Sequence, residues 1–496
     1  MPDSFRFLRR AVLAACLIGA AGGCAPNTFD PDVSNTAAHI AGLNEPIDFQ
    51  SEGEPIDVPP VNGSTDGPAL GIADAVRRAL THDPGIQAAM ARVRVAQADA
   101  KQSRLLPNPV LSVVLRWPEG GGKPDIEAGL AADLISLLSR PGRVSVTDNR
   151  LRASAAEVLT TTLDVLADVQ SRYVAVQAND QLLVVLEDRV RILDRLHGIA
   201  RARLDAGEGT RLDLLALDAQ RVELQTELTD RRLEHAEQRL GLARVLGEPS
   251  SVADWQLSAW EAVERPVAVE AMWVNAALAN RPEVGQQRFA LAALGQEVRL
   301  TTFTPFDGGD IGVDAERDGG NWSVGPGVSL PVPLFDFGQA RRERARATVI
   351  EARHNLTRVS REVVEETRRS YAALKASREN RRRVESELIP ITERRLQQAE
   401  SQFRGGQTDI TGLLLAEEQL RAARTRLVEL QQRNAEALIR LERAVGGPAA
   451  VDVLDNAATR PAAQPTTAAA TRSAADSNPT QSAPRTRNAV TANRKN

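Results

Sequence analysis

The chain has 496 residues, with 61 Lys plus Arg against 65 Asp plus Glu, a formal charge of −4, 42% hydrophobic residues and only 3% aromatic ones. At roughly 150 residues per domain this length sets a prior of about three domains, and near-neutrality excludes a general nucleic-acid binder, which carries a strongly basic domain or stripe. Scarce aromatics beside abundant Ala, Leu, Arg and Glu describe long helices packed through small and aliphatic side chains, which disfavours a compact enzyme core.

Arg6, Arg9 and Arg10 precede an apolar run from Ala11 to Gly23. A basic head on a short apolar body is a secretory signal rather than a spanning helix, so residues 1–23 predict export. Cys24 follows Ala21, Gly22 and Gly23. This resembles the lipobox of bacterial lipoproteins, with Ala21 where Leu usually stands, and the resemblance implies an acylated Cys24 as the mature N-terminus; ordinary cleavage near Gly23 with Cys24 a bystander is the alternative. Cys16 leaves with the signal, so at most one thiol remains and neither an internal disulfide nor a zinc cluster of cysteines is available. Residues 24–68, rich in Pro, Asp, Asn, Gly and Ser without periodicity, read as an extended leader.

An internal duplication follows. Ala79 to Pro84 (ALTHDP) matches Ala277 to Pro282 (ALANRP), Gly142 matches Gly338, Leu204 to Gln220 matches Phe403 to Gln419, and Val245 to Pro249 matches Val445 to Pro448, all about 200 residues apart and in the same order. The first repeat covers 69–250 and the second 251–448. In each, a short helix ends at a Pro-initiated second helix, two strands come next, and two long helices close the unit. The first repeat predicts strands near 109–117 and 125–135 and helices near 142–205 and 210–246. The second predicts strands near 308–317 and 321–334 and helices near 338–403 and 408–445. At 1.5 Å per residue the longer helices are rods of roughly 90 to 100 Å. Val169, Val176, Leu183 and Val190 recur every seven residues, as do Leu413, Leu420, Leu427 and Leu441 around a polar Asn434. These are coiled-coil-like seams. Pro390 should bend its rod. The last stretch, 449–496, is Ala, Thr, Pro and Ser with Arg and Lys, and reads as a disordered basic tail.

The strand segments alternate. Leu111, Val113, Leu115 and Trp117 share one face; Ile126, Ala128, Leu130, Ala132 and Leu134 oppose Glu127, Gly129, Ala131 and Asp133. Ile311, Val313 and Ala315 oppose Asp310, Gly312, Asp314 and Glu316, and Trp322, Val324, Val328 and Leu330 oppose Ser323, Gly325, Gly327 and Ser329. Strands of eight to ten residues, apolar on one side and polar or tiny on the other with Trp near the ends, fit a transmembrane β-barrel. Two soluble hairpins packed on the helices give the same alternation, and export tilts the choice to the membrane. Four strands leave open edges whose unpaired groups cost several kcal/mol each in lipid, so the chain must oligomerise, and twelve strands from three chains would close. Glu127, Asp133, Asp310, Asp314 and Glu316 would then face the pore, either as an acidic mouth or simply to wet a water-filled barrel.

With these elements in place the sequence resembles the TolC-like outer-membrane efflux proteins over about residues 70 to 448. The carriers are Leu106 to Ser112 (LPNPVLS) entering the first strand, Ser329 to Ala347 (SLPVPLFDFGQARRERARA) joining the last strand to a long helix, the two glycine turns and the duplication. The resemblance implies a mixed α/β membrane protein: a trimer with a twelve-stranded outer-membrane β-barrel, a periplasmic α-barrel and an equatorial collar. It implies no enzymatic activity, no cofactor, and partnership with a periplasmic adaptor and an inner-membrane pump. It also places the turns at Leu204 to Asp213 and Phe403 to Gly412, with Gly207 and Gly406, at the periplasmic aperture where adaptors dock. The family often sets an Asp six residues past the glycine; Asp213 matches, whereas the second copy has Gly412 there and Asp409 three residues earlier. A ring of Asp213 would favour cations, and a capping Asp is the plainer role.

His39, His82, His197, His235 and His354 show no metal-ligand spacing, and Met1, Met90 and Met272 cannot form a thioether relay. No phosphate loop or nucleophile elbow is present. The expected function is a passive exit duct for drugs or metal cations. The alternative is a periplasmic coiled-coil scaffold or adaptor without a pore.

Overall fold

A computed structural model describes residues 32–51, 69–117, 119–121, 124–250, 253, 255–260, 269–318 and 321–452. The signal, Cys24, most of the leader and nearly all of the tail lie outside the described residues. The elements are α1 (Val33–Ile40), α2 (Ile72–His82), α3 (Pro84–Ser103), β1 (Val110–Arg116), β2 (Asp125–Asp133), α4 (Leu134–Asp205) and α5 (Arg211–Val245), then α6 (Glu270–Asn280), α7 (Pro282–Leu300), β3 (Asp310–Asp318), β4 (Asn321–Ser329), α8 (Gln339–Arg383), a π-helical turn (Val384–Leu388), α9 (Ile389–Arg404) and α10 (Ile410–Ala444). The four strands form one antiparallel sheet in the order β1-β2-β3-β4, so the two repeats join at β2 and β3, and β1 and β4 are its open edges.

Long helices run through both repeats, and three element bounds differ from the sequence reading. The first rod begins at Leu134, not near Gly142, and absorbs Pro141. Asp133 explains the early start: its carboxylate accepts the Ser136 amide at 2.8 Å and caps the helix, ending β2 where alternation alone would run on to 135. Gly142 serves packing, since a Cβ there would strike Leu300 at 2.6 Å, where α7 crosses α4. β4 stops at Ser329 rather than 334, because Pro331 and Pro333 have no N–H for a ladder. The second rod breaks as expected at Pro390: without its N–H the preceding turn widens to a π turn over Val384–Leu388, and α8 and α9 stack across it.

The leader differs from its extended expectation. α1 is capped by Asp32, which accepts the Asn35 amide at 3.1 Å, and buries Val33, Ala37 and Ala38. Gln87 then brackets the following strand of leader, accepting from the Gln50 amide at 2.8 Å and donating to the Asp48 carbonyl at 3.0 Å, while the Arg94 guanidinium lies 3.7 Å from the Phe49 ring centroid.

Among the described residues three hydrophobic cores run along the molecule. One joins α1 to Leu80, Ile86, Val158, Val169, Tyr173 and Val176 of the first repeat. A smaller one in the second repeat gathers Trp273, Val284, Leu374 and Leu441, and Val451, just inside the expected tail, is buried in it. The third lies toward the turns and mixes the repeats: Leu186, Leu193, Leu196, Leu217 and Leu224 pack with Phe403, Ile410 and Leu413. Among the described residues no helix is long and apolar enough to cross a membrane.

Candidate functional site

The strand register settles which side chains share a face. Leu111 pairs with Leu130, Leu130 with Val313 and Val313 with Pro326; Val113, Ala128, Ala315 and Val324 form the adjacent row. This face exposes Leu111, Val113, Leu115, Leu130, Ile311, Val313, Trp322, Val324 and Val328. Its one charged residue, Arg317, stands opposite Trp322 at the hairpin end, a position the sequence pattern alone passed over. The other face holds all five predicted acids. Glu127 is opposite Glu316, Asp133 opposite Asp310, and Asp314 opposite both Gly129 and Gly325. The Asp314 carboxylate lies over two glycines: a Cβ at Gly129 would meet its Oδ1 at 2.7 Å and one at Gly327 would press on its Oδ2, so a larger residue at either position would turn this side chain aside. Glu127 is paired with Arg116 at 2.8 Å, and Asp133 is committed to the N-terminus of α4, with its second oxygen 2.5 Å from the Ser136 hydroxyl. Asp310, Asp314 and Glu316 supply the remaining predicted carboxylates of this face.

At the far end the two turns lie side by side. Gly207 and Gly406 both adopt left-handed backbone, φ +75° and +70°, which lets each helix end fold back on itself. The Glu208 amide donates to the Arg203 carbonyl at 2.9 Å, and the Gln407 amide to the Gln402 carbonyl at 2.9 Å. Thr210 and Asp213 form a reciprocal capping box on α5: the Asp213 amide donates to Thr210 Oγ1 at 3.2 Å and the Thr210 amide to Asp213 Oδ2 at 3.1 Å. On α10 the carboxylate moves to the N-cap, where Asp409 accepts the Gly412 amide at 3.1 Å. Asp213 and Gly412 therefore occupy the same helical position, and each turn still ends with one carboxylate on a helix N-terminus.

Two further groups were not foreseen. Arg203 ties the turns together: it donates to the Phe403 carbonyl at 2.8 Å, stacks 4.7 Å from the buried Phe403 ring, and reaches the Glu208 carbonyl at 3.2 Å. Higher on the rods, Arg189, 5% exposed, sits among Glu417 at 3.3 Å, Glu418 at 3.1 Å and Glu227 at 3.3 Å, and Arg421 completes the group with 2.8 Å contacts to Glu227 and Glu418. Burial pushes the Glu417 carboxyl above its ordinary value, and the Arg189 charge pulls it part of the way back. No signal in the sequence marks this group, whose members come from three helices and both repeats.

The outer membrane efflux protein family model matches residues 75–248 and again 273–447, one match per repeat. The chain belongs to the outer membrane efflux protein family. Solved structures share the fold: the outer-membrane channel OprN at TM-score 0.66 and 19% identity, covering 76% of this chain and 90% of that one; VceC of Vibrio cholerae at 0.65 and 19%, covering 76% and 96%; and the open-state MtrE channel of Neisseria gonorrhoeae at 0.62 and 16%, covering 80% and 97%. No curated protein matches the sequence significantly. This efflux family consists of outer-membrane channel proteins rather than enzymes. Among the described residues no group of His, Cys, Asp and Glu could hold a metal ion.

Proposed function

We propose that this protein is the passive exit duct of a tripartite efflux system, releasing small toxic compounds, drugs or metal cations, handed over by an inner-membrane pump and a periplasmic adaptor. The observation that carries the proposal is the sheet: one face is apolar and exposed, the other is mostly acidic, polar or glycine with Val110 and Val114 as its large apolar members, and both edges are unpaired. Such an edge costs several kcal/mol per unpaired group in lipid, and three copies placed edge to edge close a twelve-stranded barrel with the acids inside. α4, at 72 residues about 110 Å long, stands below it as a stave of a periplasmic α-barrel. The turns then form the aperture and the adaptor's docking ring. Acylation of Cys24 would anchor each chain in the outer membrane.

The duct is tested by reconstituting the purified protein in a planar bilayer, where steady conductance and a heat-sensitive trimer on gels are expected. Absence of conductance from the reconstituted trimer would overturn the duct. Asp213→Asn together with Asp409→Asn keeps both caps while removing two charges per protomer, so a reduced cation preference is expected if these carboxylates line the aperture. Palmitate label retained by Cys24→Ser would remove the lipid anchor from the proposal.

A further inference from the structure

Between Ser329 and Gln339 the chain carries an apolar surface that the protomer leaves uncovered. Leu330, Val332, Leu334, Phe335 and Phe337 are all exposed, Phe335 to 93%. An apolar run this open marks an interaction surface. Pro331 and Pro333 hold it extended and remove two donors, so it offers side chains more than a strand edge. Its end is charged and hydrogen-bonded, which suits water rather than hydrocarbon: Asp336 pairs with Arg341 at 2.5 Å and accepts the Gly338 amide at 2.7 Å, while Arg342 donates to the Phe337 carbonyl at 2.5 Å.

The topology says what lies beside it. β4 and β1 are the two edges of an antiparallel sheet, so in a closed barrel β4 of one copy runs antiparallel to β1 of the next. The end of β4 at Ser329 then stands beside the start of β1 at Val110. Continuing past Ser329, the arm must follow the segment that precedes Val110 in the neighbouring copy. That segment carries Leu105 and Leu106, and the second turn of α4, held to it by Arg140 donating to the Arg104 carbonyl at 3.0 Å, carries Leu138; all three are more than half exposed in the protomer. Each protomer thus presents an uncovered apolar arm at one edge and an uncovered apolar shelf at the other, at the same end of the sheet.

We propose that residues 330–337 are an intersubunit clasp, with Phe335 and its apolar neighbours seated against Leu105, Leu106 and Leu138 of a second copy of this chain where the sheet gives way to the helices. The proposal rests on the trimeric-duct reading. It adds that the seam between subunits continues below the barrel through side-chain packing, where the prolines have ended the backbone ladder.

The test uses the full-length protein in outer membranes. Leu106→Cys combined with Leu334→Cys, treated with a short bis-maleimide, is expected to give a covalent ladder up to trimer on boiled gels, while each single variant, which shares Cys24, gives none. Leu106→Cys with Val222→Cys serves as a control pair and should give no ladder. Phe335→Asp is expected to lower the fraction of trimer on unheated gels by about tenfold or more, with Phe335→Leu restoring it. A trimer that forms without the ladder overturns the clasp and leaves the duct intact. A protein that is monomeric without any substitution overturns the duct reading itself. If Phe335→Trp is quenched by brominated lipid within an intact trimer, the arm faces the bilayer and the clasp fails.

Discussion

The two repeats share one chain path and differ in how they satisfy it. At the entry to the second helix of each unit, Asp83 caps α3 by accepting the Ile86 amide at 2.9 Å. Arg281 stands at the same place before Pro282 and makes no cap; it is buried instead against Glu283 at 3.2 Å and Glu366 at 2.5 Å. The first rod is continuous, whereas the second breaks at a π turn before Pro390. The first repeat builds its core from large aliphatic side chains and the leader helix, while α8 buries mostly Thr367, Ser370, Ser377 and Arg381 and leaves a charged surface. Backbone hydrogen bonds satisfy a helix whatever its side chains are, so a duplicated helical unit keeps its path while its polar chemistry drifts. The halves are rejoined by charge: Arg443 of α10 reaches Asp164 of α4 at 2.6 Å and Glu283 of α7 at 3.0 Å.

The sharpest way to break the partnership between repeats is Arg189→Ala. Removing this arginine leaves Glu417, 3% exposed, without its main counter-charge, and a buried pair broken from one side costs about 3–5 kcal/mol. The loss should appear as a lower unfolding temperature of the detergent-solubilised protein, largely recovered by Arg189→Met with Glu417→Leu. The pH dependence has a definite sign. Burial already holds the Glu417 carboxyl high and Arg189 opposes that, so the variant raises it further. A carboxyl raised in the folded state contributes stability below its unfolded value, near about 4.3, and loses it as pH rises through the folded value. The deficit of Arg189→Ala should therefore be larger at pH 8 than at pH 5; a pH-independent deficit would mean that Glu417 is not the group left exposed to the loss.

The second contrast is tested at the Pro-initiated helices. Arg281→Ala removes one of the two arginines that Glu283 and Glu366 share, leaving them Arg443 at 3.0 and 3.6 Å, and at the usual worth of hydrogen bonds to charged groups it should cost about 2 kcal/mol. Asp83→Ala removes only a cap and should cost about 1 kcal/mol. Exchanging the two solutions is more informative than deleting either. Arg281→Asp supplies the missing cap but places a third carboxylate beside Glu283 and Glu366, so it should be less stable than Arg281→Asn, which caps without charge. Equal stability of the two variants, measured by thermal unfolding at low salt, would show that the acidic neighbours do not sense position 281.

What was legible in the sequence was local or periodic. The glycine turns, the seven-residue seams through Val169 and Val176, the alternation that put Glu127, Asp310, Asp314 and Glu316 on one face, and the break at Pro390 each depend on residues within a few turns or strand repeats of one another. What was not legible joins distant segments or hides in small side chains. Arg203 meets Phe403 and Arg189 meets Glu417 across some 200 residues, with no spacing to announce either pair. α1 escapes a periodicity search because part of its buried face is Ala37 and Ala38 in an eight-residue helix. The start of α4 was displaced because the alternation of β2 runs on through Leu134, although Asp133 already caps the helix.

The smallest effects distinguish the two turns. Asp213 acts from the third position of α5 in a capping box, and Asp409 from the N-cap of α10. Asp213→Ala and Asp409→Ala should each fray one helix end by about 1 kcal/mol, and Asp409→Asn should cost almost nothing because Asn caps as well as Asp. Asp213→Asn is the discriminating variant. Its side-chain oxygen can still accept the Thr210 amide, but the charge that favours a helix N-terminus is gone, a difference of about 0.3–1 kcal/mol that salt should erase. Amide hydrogen exchange across residues 203–216 and 403–416 reads both turns in one experiment. If Asp213→Asn protects α5 as well as the wild type at every salt concentration while Asp213→Ala frays it, then the contact is geometric and the charge is free for the aperture; if Asp213→Asn frays α5 in low salt only, the carboxylate charge belongs to the helix end.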